Sequence, residues 1–211
     1  MTDERRATRD RILLATLPHV AFDGWTRKAL TVGVADAGLS PDMALRAFPD
    51  GIPELVDHFA DWADRRMLAE LERRGAAAMR IRDRVTTGVR ARLEVLAAHR
   101  EAVRRLLAFL ALPPNAPLAA RLLWRTVDAM WYAAGDNATD FNYYTKRGLL
   151  AAVYTTTVLC WLADSSEEFA DTWAFLDRRI ADVMKVPAYK ARLKEALGRL
   201  PRPSRLLRRA H

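Results

Sequence analysis

Residues 128–148 concentrate the side chains of this chain that are most capable of chemistry. The stretch DAMWYAAGDNATDFNYYTKRG holds three aspartates, Asp128, Asp136 and Asp140, among several aromatic residues. Carboxylates can act as general acid and base or ligate a metal, but such sites usually recruit a histidine or a cysteine as well. The stretch contains neither residue, and acids that cap helices are far commoner than catalytic ones. We therefore predict no catalytic residue here.

The remaining residues with reactive or metal-ligating side chains are scattered singly. They form no set of carboxylates and histidines at the spacing that a helical metal site requires. The chain also has no glycine-rich phosphate loop and no nucleophile elbow. The sequence therefore predicts no metal site, no cofactor and no enzymatic activity. The residues in question are His19, His58, His99, His211 and Cys160.

The elements that must position these residues are all helical. Apolar residues recur every three or four positions, and no segment alternates with period two. Glycine and proline divide the chain into about ten helices, so the predicted fold class is all-α. We predict a helix-turn-helix-like N-terminal unit at residues 1–50, a larger helical body at 51–186, and a basic tail at 187–211.

Two helix ends carry specific signals. Gly135 suits the left-handed position that ends a helix, so DAMWYAAGDNATDFNYYTKRG indicates a turn between two helices. The sequence SSEE at 165–168 predicts a capping box, in which Ser165 caps the next helix and Glu168 reaches back to the backbone amide of the cap.

One face of the helix before Gly135 is predicted to point away from the core. On a helical wheel Asp128 and Tyr132 fall on the solvent side, and Trp131 lies on a shoulder beside them. Exposed aromatic residues with a polar neighbour are typical of protein interfaces, so we predict a partner-binding surface at these three residues. The alternative is that Trp131 packs at the edge of the core and Tyr132 covers a loop. The core-facing positions are expected to be Leu123, Val127, Met130 and Ala134.

The net charge of +8 belongs to the tail. Residues 185–211 hold nine Lys or Arg and one acid, Glu195, whereas acids and bases balance in the rest of the chain. Apolar and basic side chains separate onto different faces of a short tail helix, as in segments that bind anionic membranes. The alternative is a helix docked on its own body or on a neighbouring subunit. The predicted membrane-binding residues are Tyr189, Lys190, Arg192, Leu193, Lys194, Leu197, Arg199 and Leu200.

The first third of the chain resembles a family of regulators. The sequence DGWTRKALTVGVADAGLSPDMALRAFPD, with its GLSP turn and terminal FPD, is similar to the DNA-binding domain of TetR-type proteins. In its third helix only Arg46 is basic, and Leu45 and Ala47 stand where the family carries tyrosine and histidine. Because phosphate contacts supply most DNA affinity, we do not expect specific DNA binding.

Three stretches of the second half resemble another family. LPPNAP at 112–117, VDAMWYAAGDNATDFNYYTKR at 127–147 and DSSEEFADTWAFLDRR at 164–179 are similar to the lipid-binding accessory proteins of ubiquinone biosynthesis, the ninth of the coenzyme Q proteins. The resemblance implies a TetR-like fold whose helical body binds isoprenoid quinone intermediates. It also implies that the protein supports the diiron hydroxylase that acts on demethoxyubiquinone.

A lipid tail would need an apolar pocket between helices of the body. The sequence does not distinguish such a pocket from an ordinary packed core. The residues that we predict to line it are Leu106, Phe109, Leu110, Leu150, Tyr154, Val158 and Trp161.

These observations favour a non-enzymatic lipid-binding protein over a ligand-responsive TetR-type transcriptional regulator, which is the alternative. The expected partners are an isoprenoid quinone or other lipid, the diiron hydroxylase, a membrane surface and a second copy of the chain. The charged, sign-mixed N-terminus has the features of neither a secretory signal nor a transit peptide, and the single cysteine fits a reducing compartment. From these features, the basic tail and the resemblance to a family found in mitochondria and α-proteobacteria, we expect a bacterial cytoplasmic protein that is peripheral on the inner membrane.

Overall fold

The computed structural model describes residues 3–135 and 141–183, and within these ranges every regular element is helical. The helices are α1 (Asp3–Asp23), α2 (Arg27–Asp36), α3 (Met43–Ala47), α4 (Ile52–Arg73), α5 (Ile81–Leu96), α6 (Arg100–Leu110), α7 (Ala116–Ala133), α8 (Phe141–Ala163) and α9 (170–183). The predicted all-α class is confirmed, and the helix count is close to the expected ten.

The N-terminal unit, α1 to α3, is held together by a very close helix contact. A Cβ atom on Gly33 of α2 would lie 2.1 Å from Oγ1 of Thr16 on α1. Only glycine allows the two helices to approach so closely. Thr16 is itself fully buried, and its hydroxyl donates a hydrogen bond to the carbonyl of Ile12, which satisfies it inside the contact.

The N-terminal unit shares one hydrophobic core with the helical body. Trp25, between α1 and α2, donates a hydrogen bond from Nε1 to the carbonyl of Ala102 on α6 at 3.1 Å, and its ring lies 5.2 Å from that of Phe59 on α4. These contacts fix the unit against the body. The boundaries at residues 50 and 186 stay predictions.

The body consists of α4 to α9, with α4 packed between α5 and α7. Gly135 ends α7 with a φ of +83°, as the sequence predicts, and its amide donates to the carbonyl of Tyr132. Within the described residues no single helix is long and apolar enough to cross a bilayer. Ile81–Leu110 and Pro113–Ala133, which meet at 100°, reach that length and composition only as a pair.

The start of α9 is capped by Asp164 and not by the predicted capping box. Asp164 accepts hydrogen bonds from the amides of Ser166 and Thr172 at 2.8 and 2.9 Å, and from both hydroxyls. Burial alone would raise the pKa of Asp164, but these hydrogen bonds outweigh burial and hold the pKa far below its usual range. Glu168 instead adopts a left-handed backbone with φ of 50°.

Candidate functional site

A largely apolar cavity of about 300 Å³ lies inside the helical body. Helices α4 to α8 all contribute to its wall. Leucines of α6 and α7 face valine and tyrosine of α8 across the cavity, and Phe59 of α4 lies at one end. The main apolar lining residues are Leu106, Leu107, Leu110, Leu122, Leu123 and Val158.

The cavity has a buried end and an open end. Ala111 and Thr155 line it where the protein is exposed to solvent, and the partly buried leucines of α6 lie near them. At the other end Phe59 is 1% exposed, Arg92 5% and Thr126 2%. A ligand that enters at Ala111 and Thr155 therefore has to reach the interior of the cavity to meet Arg92 and Thr126.

The buried end is built on an ion pair between α4 and α5. Nε of Arg92 lies 3.1 Å from Oδ1 of Asp64, and both side chains are less than 10% exposed. Thr126 of α7 completes the group, because its hydroxyl donates to Asp64 at 3.0 Å and accepts from Nη2 of Arg92 at 3.2 Å. One polar side chain from each of three helices thus meets in the core, where an unpaired charge would be costly.

A second arginine ties this group to the surface. Arg125 lies 3.5 Å from Asp64 through Nε and donates to the carboxylate of Asp57 at 2.9 Å. Arg125 also donates to the backbone carbonyl of Asp57 at 3.0 Å. Asp64 therefore shares its charge between two guanidinium groups, and Arg92 is left only partly neutralised.

Tyr154 of α8 places its aromatic ring beside this polar group of Asp64, Arg92 and Thr126. Its aromatic ring lies 5.6 Å from the guanidinium carbon of Arg92, within the range of a cation–π contact. Burial raises the pKa of the Tyr154 phenol, and this outweighs the opposing effect of Arg92. The hydroxyl is therefore protonated near neutral pH and can both donate and accept a hydrogen bond.

The cavity includes four of the seven residues expected to bind lipid: Leu106, Leu110, Tyr154 and Val158. The other three lie outside its wall. Leu150 and Trp161 are 2% and 0% exposed in the packed core, and Phe109 packs against the core from a partly buried position. Helical spacing identifies the inward face of a helix but does not say whether that face meets another side chain or an open space.

Sequence reasoning missed the polar residues of the cavity. A signal for Arg92 was present, since it stands on the apolar stripe Val85, Val89, Arg92, Leu96 of α5. An arginine at a core position needs a buried partner and often marks a site. Asp64 occupies an equivalent position on α4, where its neighbours Ala60 and Met67 are buried.

The residues of the predicted partner surface occupy the outer face of α7. Asp128 accepts a hydrogen bond from the hydroxyl of Tyr143 at 3.0 Å and from Nε of Arg147 at 2.5 Å. The hydrogen bond to Asp128 is the largest of the effects that raise the pKa of Tyr143. Asp128 is therefore first a clamp between α7 and α8, although 42% of its side chain remains exposed.

Trp131 and Tyr132 differ sharply in exposure. Trp131 is partly buried, donates from Nε1 to the carbonyl of Lys146 at 3.2 Å, and has the Lys146 ammonium 5.5 Å from its ring. Tyr132 is 74% exposed. Trp131 therefore packs at the edge of the core, as the alternative interpretation of the sequence expects, whereas Tyr132 is exposed to solvent.

Two further aromatic residues extend the exposed surface. Trp124 lies on the same face of α7, four residues before Asp128, and is 38% exposed. Tyr144 of α8 is 63% exposed, and its ring centroid lies 6.0 Å from that of Trp124. We call Trp124, Asp128, Tyr132 and Tyr144 the aromatic patch. Exposed aromatic groups in contact mark interaction sites more often than single ones do.

The N-terminal unit carries more basic residues around α3 than the third helix alone suggests. Arg5 and Arg9 of α1 line a surface recess with Arg46 of α3. Arg9 is paired with Glu54 at 3.0 Å, and Leu45 is 71% exposed in the middle of α3. The positions of α3 that would contact DNA bases are therefore apolar, and the nearby positive charge comes mainly from Arg5 and Arg9 of α1.

Other predicted sites have different outcomes. The eight membrane-binding residues of the tail lie outside the described residues, so that site stays a prediction. Within residues 3–135 and 141–183 no group of three or more His, Cys, Asp or Glu is placed to hold a metal ion.

Comparison with known proteins gives a consistent result. The sequence model of the COQ9 family matches residues 116–187, which include α7 and α8. The chain is 41% identical over 183 residues to the human ubiquinone biosynthesis protein COQ9, mitochondrial, and 42% identical to the rat protein. Each alignment covers 83% of this chain, which spans 57% of the human protein's length and 58% of the rat protein's.

The solved structure of a TetR transcriptional regulator from Nitrosomonas europaea is also similar. It superposes with a TM-score of 0.67 and 26% sequence identity, over 83% of this chain and 97% of the regulator. The TetR-like fold, with its helix-turn-helix unit on a helical body, is thereby confirmed.

The expected location in a bacterial cytoplasm is wrong. The human, rat, bovine and Drosophila relatives are all named as mitochondrial proteins, which points to mitochondria. The expectation rested on the composition of the first residues, the single cysteine and the resemblance to a family that occurs both in mitochondria and in α-proteobacteria. Such features indicate a reducing compartment but do not separate a cytoplasm from a mitochondrial matrix.

Proposed function

The chain belongs to the COQ9 family of ubiquinone biosynthesis proteins, and from this membership we propose that it is a non-enzymatic accessory protein of that pathway. It binds a polyprenyl quinone precursor in the cavity between α4 and α8 and presents the precursor to the demethoxyubiquinone hydroxylase. A mitochondrial location belongs to the same proposal and is supported by the human and Drosophila relatives, which are named as mitochondrial proteins. The observation that carries the proposal is the apolar cavity with one open end in a chain of this family.

The cavity is large enough for only one end of a polyprenyl lipid. Its volume of about 300 Å³ is at the lower end of ligand pockets, which span about 300–1,000 Å³. A polyprenyl chain with many isoprene units does not fit inside. The cavity therefore encloses one end of the lipid, and the remainder leaves through the open end beside the exposed Ala111 and Thr155.

Lipid extraction from natively purified protein, followed by mass spectrometry, tests this binding. We expect an isoprenoid quinone precursor, and quinone added to delipidated protein should bind. A variant with Ala119→Trp, in the cavity wall, should lose most of the lipid because the larger side chain occupies space in the cavity. Ala120→Trp is the matched control, because Ala120 is exposed on the same helix and does not line the cavity. If both variants retain lipid equally, the cavity is not the binding site.

We assign docking of the hydroxylase to the aromatic patch. Trp and Tyr are the residues most enriched among binding hot spots, and truncation of a hot-spot residue typically costs about 2 kcal/mol or more. Trp124→Ala together with Tyr132→Ala should therefore weaken hydroxylase binding at least about thirtyfold, measured by titration with purified hydroxylase. Phe22→Ala is the control, since Phe22 is an aromatic residue of the N-terminal unit that is 86% exposed. An equal loss in the control would remove the patch from the interface.

Two further associations belong to the same proposal. The basic tail contacts an anionic membrane surface, and truncation after Lys185 should reduce binding to vesicles that contain anionic lipid. Unchanged binding would contradict a membrane role for the tail. The chain forms a homodimer through its last long helices, and sedimentation equilibrium that gives a monomer mass at micromolar concentration would contradict this.

A second candidate function is a ligand-responsive regulator of transcription. The observation that favours it is the similarity to the TetR regulator from Nitrosomonas europaea, together with Arg5, Arg9 and Arg46 around α3. A regulator should protect a discrete palindromic DNA site in a footprinting experiment, and the protection should persist at physiological salt. Binding by charge alone weakens steeply at that salt concentration. Protection of one such site would favour the regulator over the lipid-binding function.

A further inference from the structure

We propose that the cavity takes its ligand head first and that Arg92 and Tyr154 bind an acceptor oxygen on a flat ring that forms the head group. The inference rests on the proposed function, because it assumes that the cavity holds a lipid. It adds the orientation of that lipid and the chemistry by which the protein selects it: an oxygen-bearing ring binds more tightly than a hydrocarbon without a polar head.

The polarity of the cavity sets the orientation. The exposed residues Ala111 and Thr155 mark its mouth, and partly buried leucines of α6 also line it, whereas Arg92 and Thr126 are only 5% and 2% exposed. If a lipid entered tail first, it would bring hydrocarbon against the buried guanidinium group of Arg92. Head-first entry instead pairs the polar head with Arg92 and Thr126.

The closed end has hydrogen-bonding capacity that the protein does not use. An arginine side chain has five N–H donors. Among the described residues, Arg92 makes a hydrogen bond only to Thr126, and its buried Nε makes none although Asp64 lies 3.1 Å away, because the N–H is not aligned with that oxygen. The hydroxyl of Tyr154 makes no hydrogen bond within residues 3–135 and 141–183 either, and it is not among the fully enclosed side-chain atoms. Arg92 and Tyr154 both line the cavity, so an acceptor that enters the cavity can use these donors.

The charges at the closed end decide which head is accepted. Arg92 and Arg125 lie 3.1 and 3.5 Å from the single carboxylate of Asp64, and the carboxylate of Asp57 is shared by Arg125 with Arg121 at 3.6 Å. Arg121 is 66% exposed, so its charge is largely screened by water. Of these charged groups only the guanidinium of Arg92 lines the cavity, and it favours a carbonyl, phenolate or methoxy oxygen and disfavours an ammonium group.

The shape of the closed end suits a ring. The aromatic rings of Phe59 and Tyr154 both line the cavity, and the ring of Tyr154 lies 5.6 Å from the guanidinium carbon of Arg92. Phe59 stacks on Trp62 at 6.2 Å between ring centroids. Two fixed aromatic surfaces beside a guanidinium group form a site for a flat, oxygen-substituted ring.

Calorimetric titration of the delipidated full chain with two matched probes tests the inference. The probes are a decyl-substituted benzoquinone and decylbenzene, which share the tail and the ring but differ in the acceptor oxygens. Wild-type protein should bind the quinone more tightly. Tyr154→Phe should weaken quinone binding about fivefold, the value of one neutral hydrogen bond, and leave decylbenzene binding unchanged. Thr156→Val is the control, because it removes an exposed hydroxyl on the same helix that does not line the cavity.

A second variant guards against an effect of folding. Arg92→Lys keeps the positive charge beside Asp64 but loses the planar fork of donors, so quinone binding should fall about tenfold or more while decylbenzene binding persists. Equal affinity of the wild type for both probes, or unchanged quinone binding in both variants, overturns head-first binding and leaves lipid binding intact. If the wild type binds neither probe, the proposed lipid-binding function itself fails.

Discussion

The two faces of α7 carry the same chemistry in opposite surroundings. On the inner face Thr126 contacts the pair Asp64–Arg92, whose side chains are 8% and 6% exposed. On the outer face Asp128 pairs with Arg147, and the exposures there are 42% and 3%. The inner pair is closed to water on both sides and forms the end of a cavity. The outer pair has one partner in water and clamps two helices beneath the aromatic patch.

The surroundings of an ion pair decide what the pair can do. Both carboxylates also accept a hydrogen bond from a hydroxyl, of Thr126 inside and of Tyr143 outside. In the core, desolvation offsets much of the attraction between Asp64 and Arg92, so the pair adds little net stability. Polar atoms of the pair remain available to a ligand. At the surface water already solvates the carboxylate, so the pair mainly fixes geometry.

Removal of the inner carboxylate should have the largest effect. Asp64→Asn leaves Arg92 buried without a counter-charge, and we expect the free energy of unfolding to fall by about 3–5 kcal/mol in urea titrations. The matched control is Asp61→Asn on the same helix, where the side chain is 41% exposed and pairs with Arg65. The control should lose less than about 1 kcal/mol. Similar losses in both variants would mean that water reaches the inner pair.

Removal of the outer carboxylate should cost less. Asp128→Asn keeps the shape and an acceptor oxygen but loses the charge that faces Arg147, so we expect a loss of about 1.5–3 kcal/mol in the same titration. Tyr143→Phe removes only the hydroxyl that donates to the Asp128 carboxylate and leaves the ion pair with Arg147, so it should cost no more than about 1.5 kcal/mol. A loss for Asp128→Asn that equals the loss for Asp64→Asn would erase the contrast between the two faces.

Within the outer face the contrast between Trp131 and Tyr132 should be visible in stability. Trp131→Ala removes a partly buried ring and its hydrogen bond to Lys146, so we expect about 2 kcal/mol of destabilisation. Tyr132→Ala removes a side chain on a residue that is 74% exposed, and the change should stay within about 0.5 kcal/mol. Thermal unfolding of the two single variants measures this. A clear destabilisation by Tyr132→Ala would show that Tyr132 is packed and is not free for a partner.

The smallest effect concerns alkaline pH. Burial is the first cause that raises the pKa of Tyr154 above the ordinary 10.0, so the folded state holds the phenolic proton more tightly than the unfolded state. This contribution to stability is complete below pH 10 and is lost as pH rises from 10 through the folded-state pKa, at no more than about 1.4 kcal/mol per pH unit. Wild-type protein should therefore lose more stability above pH 10 than Tyr154→Phe, in unfolding titrations at several pH values. Superimposable pH profiles would contradict the burial of the phenol.

Sequence periodicity was sufficient for the helices and for the direction of most side chains. The four core positions expected on α7 are all directed inward: Val127, Met130 and Ala134 are buried, and Leu123 lines the cavity. Gly135 ends the helix as predicted. These features depend on local geometry, which a spacing of three and four residues reports directly.

Features that depend on distant parts of the chain were not predictable from the sequence in the same way. The cap of α9 is an example, because Asp164 displaced Ser165 once Thr172 was brought within hydrogen-bond distance. The polar end of the cavity is another, because Asp64, Arg92 and Thr126 come from three helices and are separated by 28 and 34 residues along the chain.

The sequence by itself determined an all-helical TetR-like chain of the COQ9 family, since periodicity, turn residues and family motifs are all local patterns. Only the tertiary structure decided which inward side chains border an empty space and which are packed, so that Tyr154 lines the cavity and Trp161 does not. It also decided that Tyr132 is exposed and Trp131 is held. The physical reason is that a helix position fixes the direction of a side chain, whereas its function depends on what neighbouring helices place, or leave open, in that direction.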